Sequence, residues 1–329
     1  MREIDITQID GFRIGHSENL EGGTGCTAIL APGGARAGVS VRGGGPATRE
    51  TDLLNPEKMT QEVFGIMLSG GSAYGLDAAS GLMQYLEERN TGFDVGMGVV
   101  PIVPAACLFD LVAGDFTCRP DREMGYAACI DSEKARDRLP LGNVGAGTGA
   151  TVGKFLGPDR LMKSGLGAYA LEIGELKIGA VVAVNALGDI FDTDTGEKIA
   201  GILEEDGCTL GDTSRIMWND VMVDNNVFTG NTTIGCVITN AALTKAQCNK
   251  LADMAHDGYA RTIKPVHTSA DGDTIFFMAG GSLPEEVTIN QDALGDLGAY
   301  VMAKAINSAV REAESAYGFK AARDLKGRL

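Results

Sequence analysis

A hydroxyl residue at the start of an apolar run is the first place in this sequence that could do covalent chemistry. Thr232 follows Asn231, and the β-branched run from 233 to 239 behind it is typical of a strand buried on both faces. Such a hydroxyl can attack the carbonyl carbon before it and so free its own α-amine. Because an α-amine has an ordinary pKa of about 7.7–8.0, it can then act as the base for the same hydroxyl. The alternative is a turn that leads into a core strand, which is common for these residue types.

Two carboxylates stand further along the chain, before another apolar run. Asp271 and Asp273 are two residues apart and precede the run from 274 to 278. If the chain is already extended there, both side chains face the same way. Each then raises the pKa of the other unless hydrogen-bond donors hold them. The alternative is an Asp-Gly turn with solvated acids.

An amide and an amine complete the set of candidates. Asn185 ends an apolar strand pattern, where it is either a turn former or a donor to an oxyanion. Lys154 ends a glycine-rich segment that is not a phosphate-binding loop, because five residues instead of four separate Gly147 from Gly153. We interpret this segment as backbone close to a site, with Lys154 directed into it. The alternative is a solvated surface cation.

The elements that must position these residues alternate between strand and helix patterns. A glycine-rich turn at 69–75 joins a strand to a small-residue helix and could bind an anion at the helix start. The first half of the chain is predicted to form β-hairpins over 1–45, with runs at 25–30 and 37–41, and an extended crossing over 98–113. A β-meander over 167–192 follows, and then an acidic, partly mobile connector over 193–231 with a short helix about Trp218. Two long helices are predicted after it: Leu243–Ile263 with Thr244 as its N-cap, and Gln291–Ala316 capped by Asn290. A protein that cuts itself needs slack on one side of the cut.

The composition is that of a globular protein and excludes several function classes. Of 329 residues, 44% are hydrophobic, and 46 glycines with 6% aromatics favour a layered α/β fold. A net charge of −16 argues against nucleic acid and anionic membrane surfaces as partners. Seven Cys without a C-x-x-C pair, and the lack of a signal peptide or long apolar run, predict a cytoplasmic protein with reduced thiols. Three His at unrelated spacings predict no metal site.

Several motifs, taken in order, resemble the DmpA-type aminopeptidase family of L-aminopeptidase/D-esterases, β-peptidyl aminopeptidases and nylon-oligomer endohydrolases. The resemblance covers essentially the whole chain. The motifs are Arg42-Gly43-Gly44 with Thr48-Arg49-Glu50-Thr51, Ser69-Gly70-Gly71-Ser72-Ala73-Tyr74-Gly75-Leu76, Gly145-Ala146-Gly147-Thr148-Gly149-Ala150, Ala183-Val184-Asn185-Ala186, Asn231-Thr232-Thr233-Ile234 and Asp271-Gly272-Asp273.

The resemblance implies an α+β fold, a four-layer αββα sandwich of the N-terminal-nucleophile-hydrolase type, in a single catalytic domain over 1–329. It implies a precursor cut between Asn231 and Thr232 into an α chain (1–231) and a β chain (232–329) that stay associated. Thr232 would be the nucleophile in the cut and in turnover, hydrolysing small peptides or amide oligomers through an acyl-enzyme. No cofactor is implied, and dimers or tetramers of the processed unit are usual. With Thr as its nucleophile, the chain resembles the nylon-oligomer branch of the family and not the classical aminopeptidases, which have Ser.

The resemblance also assigns roles to single residues. Asn185 matches the oxyanion-stabilising Asn, and Lys154 matches a Lys in the site of the nylon-oligomer branch. Asp271 and Asp273 match the pair that orients the nucleophile and its amine. The candidates for the substrate pocket are Phe109, Tyr74, Gly147 and Thr148. Relatives place a Tyr where this chain has Phe109, and a phenyl ring cannot donate a hydrogen bond to a substrate as a phenol can.

Two other functions fit part of this pattern. An acyltransferase of the ornithine acetyltransferase type also cuts itself before a Thr but transfers the acyl group to an amine, and the motifs at Arg42 and Ser69 argue against it. A non-catalytic homologue that binds a small ligand would stay uncut. Both an exo-aminopeptidase and an endo-amidase fit the residues named above.

Overall fold

The computed structural model describes residues 1–222, 230–283 and 287–325. The described strands are β1 (Arg2–Ile4), β2 (Arg13–Asn19), β3 (Thr24–Val41), β4 (Ala47–Arg49), β5 (Val63–Ser69), β6 (Phe93–Asp94), β7 (Val99–Val100), β8 (Ala105–Cys107), β9 (Thr151–Val152), β10 (Met162–Lys163), β11 (Leu166–Ile173), β12 (Leu176–Ala183), β13 (Asp189–Phe191), β14 (Lys198–Ala200), β15 (Ile234–Thr239), β16 (Ile263–Lys264) and β17 (Thr274–Ala279). The described α-helices are α1 (Ala78–Glu87), α2 (Arg122–Asp131), α3 (Thr213–Asn219), α4 (Lys245–Thr262) and α5 (Gln291–Glu312).

Strand β3 is long enough to take part in two sheets. Its first half pairs with β2 and β5, and its second half pairs with β17. The sequence predicted two strands here, whereas the structure has one strand of 18 residues whose register shifts between Leu30 and Ala35. The first sheet runs β2-β3-β5-β8-β4, and the second runs β1-β11-β12-β15-β17-β3.

Three hydrophobic cores separate four layers. Because side chains alternate along a strand, Cys236 and Phe276 of the second sheet face the core between the two sheets. Their neighbours Val237 and Phe277 face a second core under α4 and α5. Met67 of the first sheet faces a third core under α1 and α2. The layers are therefore helices, sheet, sheet, helices, which confirms the predicted αββα sandwich.

The two long helices have the N-caps that the sequence predicts, although α4 begins at Lys245, two residues later than predicted. Thr244 caps α4 in a reciprocal capping box with Gln247. Asn290 caps α5, which ends at Glu312, four residues earlier than predicted. Among the described helices, none has both the length and the apolar character that crossing a membrane requires.

The predicted connector over 193–231 is largely part of the folded body. Strand β14 pairs with β13, the short helix about Trp218 is present as α3, and Ile202 and Leu203 are buried. Residues 198–203 are therefore packed into the folded body, whereas Trp218, Val221 and Met222 are largely exposed. Residues 223–229, including Asp224, lie outside the described residues.

Candidate active site

The register of three neighbouring strands brings the predicted site residues to one edge of the second sheet. Ala183 of β12 pairs with Ile234 of β15, and Ile234 pairs with Thr274 of β17. Asn185 follows the end of β12, whereas Thr232 and Asp273 precede β15 and β17. The strand ends therefore converge where the sequence places its polar residues.

Thr232 is almost fully buried and is held on both sides. Its backbone N–H donates to the carbonyl oxygen of Asn185 at 2.9 Å, and its hydroxyl lies against the carbonyl oxygen of Asn231. That carbonyl oxygen also accepts the N–H of Gly272 at 3.0 Å. A Cβ on Gly272 would lie 2.6 Å from the Thr232 hydroxyl, so only glycine leaves room for both groups.

Lys154 and Asn185 together hold the residue before Asn231. The Lys154 ammonium donates to Asn185 Oδ1 at 2.5 Å and to the carbonyl of Gly230 at 2.7 Å. Asn185 Nδ2 donates to the carbonyls of Phe109 at 2.9 Å and Gly230 at 3.3 Å. In the uncut chain, these two side chains contact the backbone one residue upstream of the Asn231 carbonyl.

Lys154 is fully buried, so the alternative of a surface cation is wrong. Burial lowers the pKa of its ammonium well below the ordinary range, and attraction to Asp110 and Asp271 opposes that shift. Burial thus disfavours the charged form of Lys154, and the two nearby carboxylates favour it.

Asp271 is also buried, which excludes a solvated turn. Its Oδ2 accepts the N–H of Thr268 at 2.9 Å and the Thr268 hydroxyl at 2.5 Å, and its Oδ1 accepts the N–H of Leu187 at 3.4 Å. Burial and the nearby charge of Asp273 raise the pKa of Asp271 to about 6. This carboxylate joins the loop before β17 to the loop that carries Asn185.

Asp273 binds the residue after Thr232. Its Oδ1 accepts the N–H of Thr233 at 2.9 Å, and its Oδ2 accepts the backbone N–H of His267 at 3.1 Å and contacts His267 Nδ1 at 2.8 Å. The Asp273 carboxylate thus holds the backbone next to Thr232, whereas the Asp271 carboxylate holds Thr268 and Leu187. Neither carboxylate makes a described hydrogen bond to Thr232 itself.

The Arg42-Gly43-Gly44 motif supports the loop that carries both carboxylates. The N–H of Arg42 donates to the carbonyl of Asp273 at 3.0 Å, and the N–H of Gly45 donates to the carbonyl of Asp271 at 2.8 Å. A Cβ on Gly43 would collide with the backbone of both aspartates. The glycines are needed here for close backbone approach.

Asp110 is a buried carboxylate that the sequence analysis did not select. Its two oxygens accept the Thr24 hydroxyl at 2.6 Å and the N–H of Gly71 at 2.7 Å, and a Cβ on Gly70 would collide with it. The glycine-rich turn expected to bind an anion therefore binds a carboxylate of the same chain. The pairing of Gly70-Gly71 was the available signal, but it does not reveal the partner.

The negative charge of Asp110 also acts on two buried lysines, Lys154 and Lys163. Burial raises the pKa of Asp110 to about 6, while hydrogen bonds and attraction to Lys154 oppose the rise. Burial lowers the pKa of Lys163 to about 7, and attraction to Asp110 opposes that fall. Lys163 donates to the carbonyls of Gly147 and Ala150.

The four candidates for the substrate pocket lie in different surroundings. Phe109 is half-buried, and its carbonyl accepts the Asn185 amide. Tyr74 is 58% exposed, and the guanidinium of Arg119 lies 3.7 Å from its ring centre. Gly147 and Thr148 are buried in the turn at 145–148, where the Thr148 hydroxyl donates to a backbone carbonyl. In the ranges described, no three His, Cys, Asp or Glu side chains are grouped to hold a metal.

Comparison with solved structures defines the class of fold. The protein resembles the L-aminopeptidase D-Ala-esterase/amidase of Ochrobactrum anthropi, described as a variant of the Ntn hydrolase fold, with a TM-score of 0.70, 18% identity and coverage of 95% of this chain and 87% of that one. It also resembles a Burkholderia sp. beta-aminopeptidase, with a TM-score of 0.68, 19% identity and coverage of 100% and 96%. The fold is that of an N-terminal-nucleophile hydrolase.

Comparison of sequences gives the family. The model of peptidase family S58 matches residues 5–323, and the chain belongs to that family. An uncharacterized aminopeptidase of Mycobacterium leprae is 39% identical over 95% of this chain and 91% of its own length. A 6-aminohexanoate-oligomer endohydrolase of Agromyces sp. is 30% identical over 93% and 85%. The protein is a hydrolase of amide bonds, and the predicted resemblance is confirmed.

Proposed function

We propose that the protein cuts its own chain between Asn231 and Thr232 and then uses Thr232 to hydrolyse amide bonds of small peptides or linear amide oligomers. The contact of the Thr232 hydroxyl with the Asn231 carbonyl, which also accepts the Gly272 N–H, carries this proposal. Addition to a carbonyl needs a hydroxyl beside it and a hydrogen-bond donor that stabilises the charge developing on its oxygen. The Asn231 carbonyl has both.

The cut is an N-to-O acyl shift followed by hydrolysis. The Thr232 hydroxyl oxygen adds to the Asn231 carbonyl carbon, and the Gly272 N–H stabilises the negative charge that develops on the carbonyl oxygen. The bond to the Thr232 nitrogen breaks, and that nitrogen takes the hydroxyl proton. Water then hydrolyses the ester, which leaves a carboxylate on Asn231 and a free α-amine on Thr232.

Turnover repeats this chemistry on a substrate amide. The α-amine of Thr232 accepts the hydroxyl proton as the oxygen attacks, and it returns a proton to the leaving amine. Asn185 Nδ2 stabilises the oxyanion once the chain has been cut and Gly230 has moved away. Asp273 holds the N–H of Thr233 beside the nucleophile, and Asp271 holds the N–H of Leu187 in the loop that carries Asn185. Water clears the acyl ester.

The names of relatives support the substrate class. One relative is named an aminopeptidase and another a 6-aminohexanoate-oligomer endohydrolase, and the bonds that these two names refer to are both amides. We include in the proposal a processed unit of two chains that associates into a dimer or tetramer, and a cytoplasmic location that suits seven free thiols.

The test is the mass of the purified 34.3 kDa protein beside a Thr232→Ala variant. We expect two wild-type fragments, one ending at Asn231 and one beginning at Thr232, and a single full-length species for the variant. An uncut wild-type chain, or a variant cut at the same bond, would contradict the proposal. Amino-acid p-nitroanilides and 6-aminohexanoate oligomers then separate exo-aminopeptidase from endo-amidase activity.

A further inference from the structure

We propose that His267 is a positioning residue for the reaction of Thr232 and that it acts through Asp273. This inference rests on the proposed function, because it takes Thr232 as the nucleophile. His267 lies in the loop before β17 and has no role in the chemistry described above.

His267 donates to the carboxylate of Asp273 in two places. Its backbone N–H lies 3.1 Å from Asp273 Oδ2, and its ring Nδ1 lies 2.8 Å from the same oxygen. The backbone of His267 has a φ of +57°, a left-handed conformation that a residue with a side chain seldom adopts. The loop is therefore shaped so that both donors reach one oxygen.

The contact with Asp273 determines which nitrogen of the imidazole ring carries the proton. Among the described residues, Nε2 of His267 has no hydrogen-bond partner. Since Asp273 can only accept when it is ionised, the proton of a neutral ring must be on Nδ1. The ring thus supplies a fixed donor to a carboxylate that is itself 1% exposed.

Two rings of helix α4, those of His256 and Tyr259, pack against this ring. The rings of His256 and His267 meet edge to face with centroids 4.7 Å apart, and the Tyr259 ring lies nearly parallel at 6.0 Å. Nε2 of His256 is 3.0 Å from the carbonyl of Ser40, so this second imidazole is engaged elsewhere. It touches His267 by packing and makes no described hydrogen bond to Asp273, which makes it a matched control.

The consequence reaches the nucleophile through one residue. Asp273 Oδ1 holds the N–H of Thr233, whose neighbour in the chain is Thr232. If the ring donor is lost, the buried carboxylate loses a charge-assisted hydrogen bond and can rotate away from Thr233. The Thr232 hydroxyl would then reach its reactive geometry less often, which lowers kcat without removing a substrate contact.

Three substitutions of His267 test this inference. His267→Asn places an amide donor near the position of Nδ1, His267→Gln places it near Nε2, and His267→Leu removes it. We expect Leu and Gln to slow self-cleavage and to lower the kcat of the processed fraction by about 10- to 100-fold, with KM changed by less than about twofold. Asn should restore most of the rate.

His256→Gln is the control, because it keeps a donor for Ser40 and changes the packing of His267. We expect near wild-type kcat for this variant. Rates of His267→Leu and His267→Gln equal to wild type, an Asn variant as slow as Leu, or a His256→Gln variant as slow as His267→Leu would each overturn the inference. If the wild-type chain stays uncut, the proposed function itself has failed. If the wild type cuts itself, the rates of the variants test the role of His267 alone.

Discussion

Two buried lysines lie near the Asn185 loop, and their surroundings differ. Lys154 donates to the side chain of Asn185 and to the carbonyl of Gly230. Lys163 donates to backbone carbonyls at Gly147 and Ala150. The first lysine therefore orients an amide in the candidate site, and the second fastens a turn.

Replacing Lys154 by Met leaves the N–H of Thr151, at 3.1 Å, as the remaining close donor to Asn185 Oδ1. The amide is then held less firmly, so its Nδ2 points at the developing oxyanion less often. We expect the kcat of the processed fraction to fall by about 10²-fold, near the cost of losing one oxyanion donor. We also expect self-cleavage to slow, because the carbonyl of Gly230 loses the hydrogen bond from Lys154. The measurement is the conversion rate on a gel together with kcat for the processed fraction.

Lys163→Met is the matched control for this prediction. It should lower the unfolding temperature, because buried carbonyls lose their donor, yet its processed fraction should keep the wild-type kcat. If both variants lost kcat equally, the effect of Lys154 would be a general loss of packing.

At the residue scale, the sequence predicted site residues from their chemical type and their position in the chain. Thr232, Asn185 and Lys154 each stand at the end of an apolar or glycine-rich run, where a polar side chain needs an explanation. Asp110 carries no such signal, because its partners Thr24 and Gly71 are distant in the sequence. His267 is only six residues from its partner Asp273, but the residue types do not show that the loop brings the two side chains together. Whether the predicted residues act as proposed stays a prediction.

At the scale of elements, the Arg42–Gly45 segment crosses the loop before β17 with little room between the two backbones. Gly43→Ala would push a Cβ into the backbone of Asp271 and Asp273. We expect the loop to shift and the precursor to remain mostly uncut. The measurement is the fraction cut after a fixed time.

Gly33→Ala is the control for this prediction, since Gly33 lies in β3, ten residues before Gly43, and a Cβ there meets no atom within 4 Å. It should cut at the wild-type rate. A Gly43→Ala precursor that cuts normally would mean that this crossing does not hold the carboxylates.

The sequence predicted those elements whose caps or periodicity are local. The Thr244 capping box and the Asn290 cap fix the starts of α4 and α5. Helix α2 was not predicted, because its buried residues Gly125, Ala128 and Cys129 are small and give no strong apolar stripe. Its contact with α1, where Gly125 meets the backbone of Ala78, is a long-range feature.

At the scale of the whole molecule, we expect the free energy of unfolding to depend on pH through Asp110. The pKa of Asp110 is about 6 in the folded chain, compared with about 3.9 for an ordinary Asp. The folded state therefore binds more protons between these values, so Asp110 makes the protein less stable as the pH rises from about 4 to about 6.

An Asp110→Asn variant lacks this titration. With Thr232→Ala in both proteins to keep the chain whole, the stability of wild type relative to the variant should fall by about 2–3 kcal/mol over this pH range. Urea unfolding at several pH values measures it. A constant difference would mean that Asp110 titrates alike in the folded and unfolded chains.

The order of strands in the second sheet has a consequence for the molecularity of folding. Strands β15 and β17 follow Thr232 in the chain, but in the sheet they lie between β12 and β3, which precede it. After a cut at Thr232, the ladders on both sides of this pair would join two polypeptides. Refolding would then become a bimolecular reaction, and the unfolding temperature of the cut protein would rise with its concentration, as that of the whole chain would not.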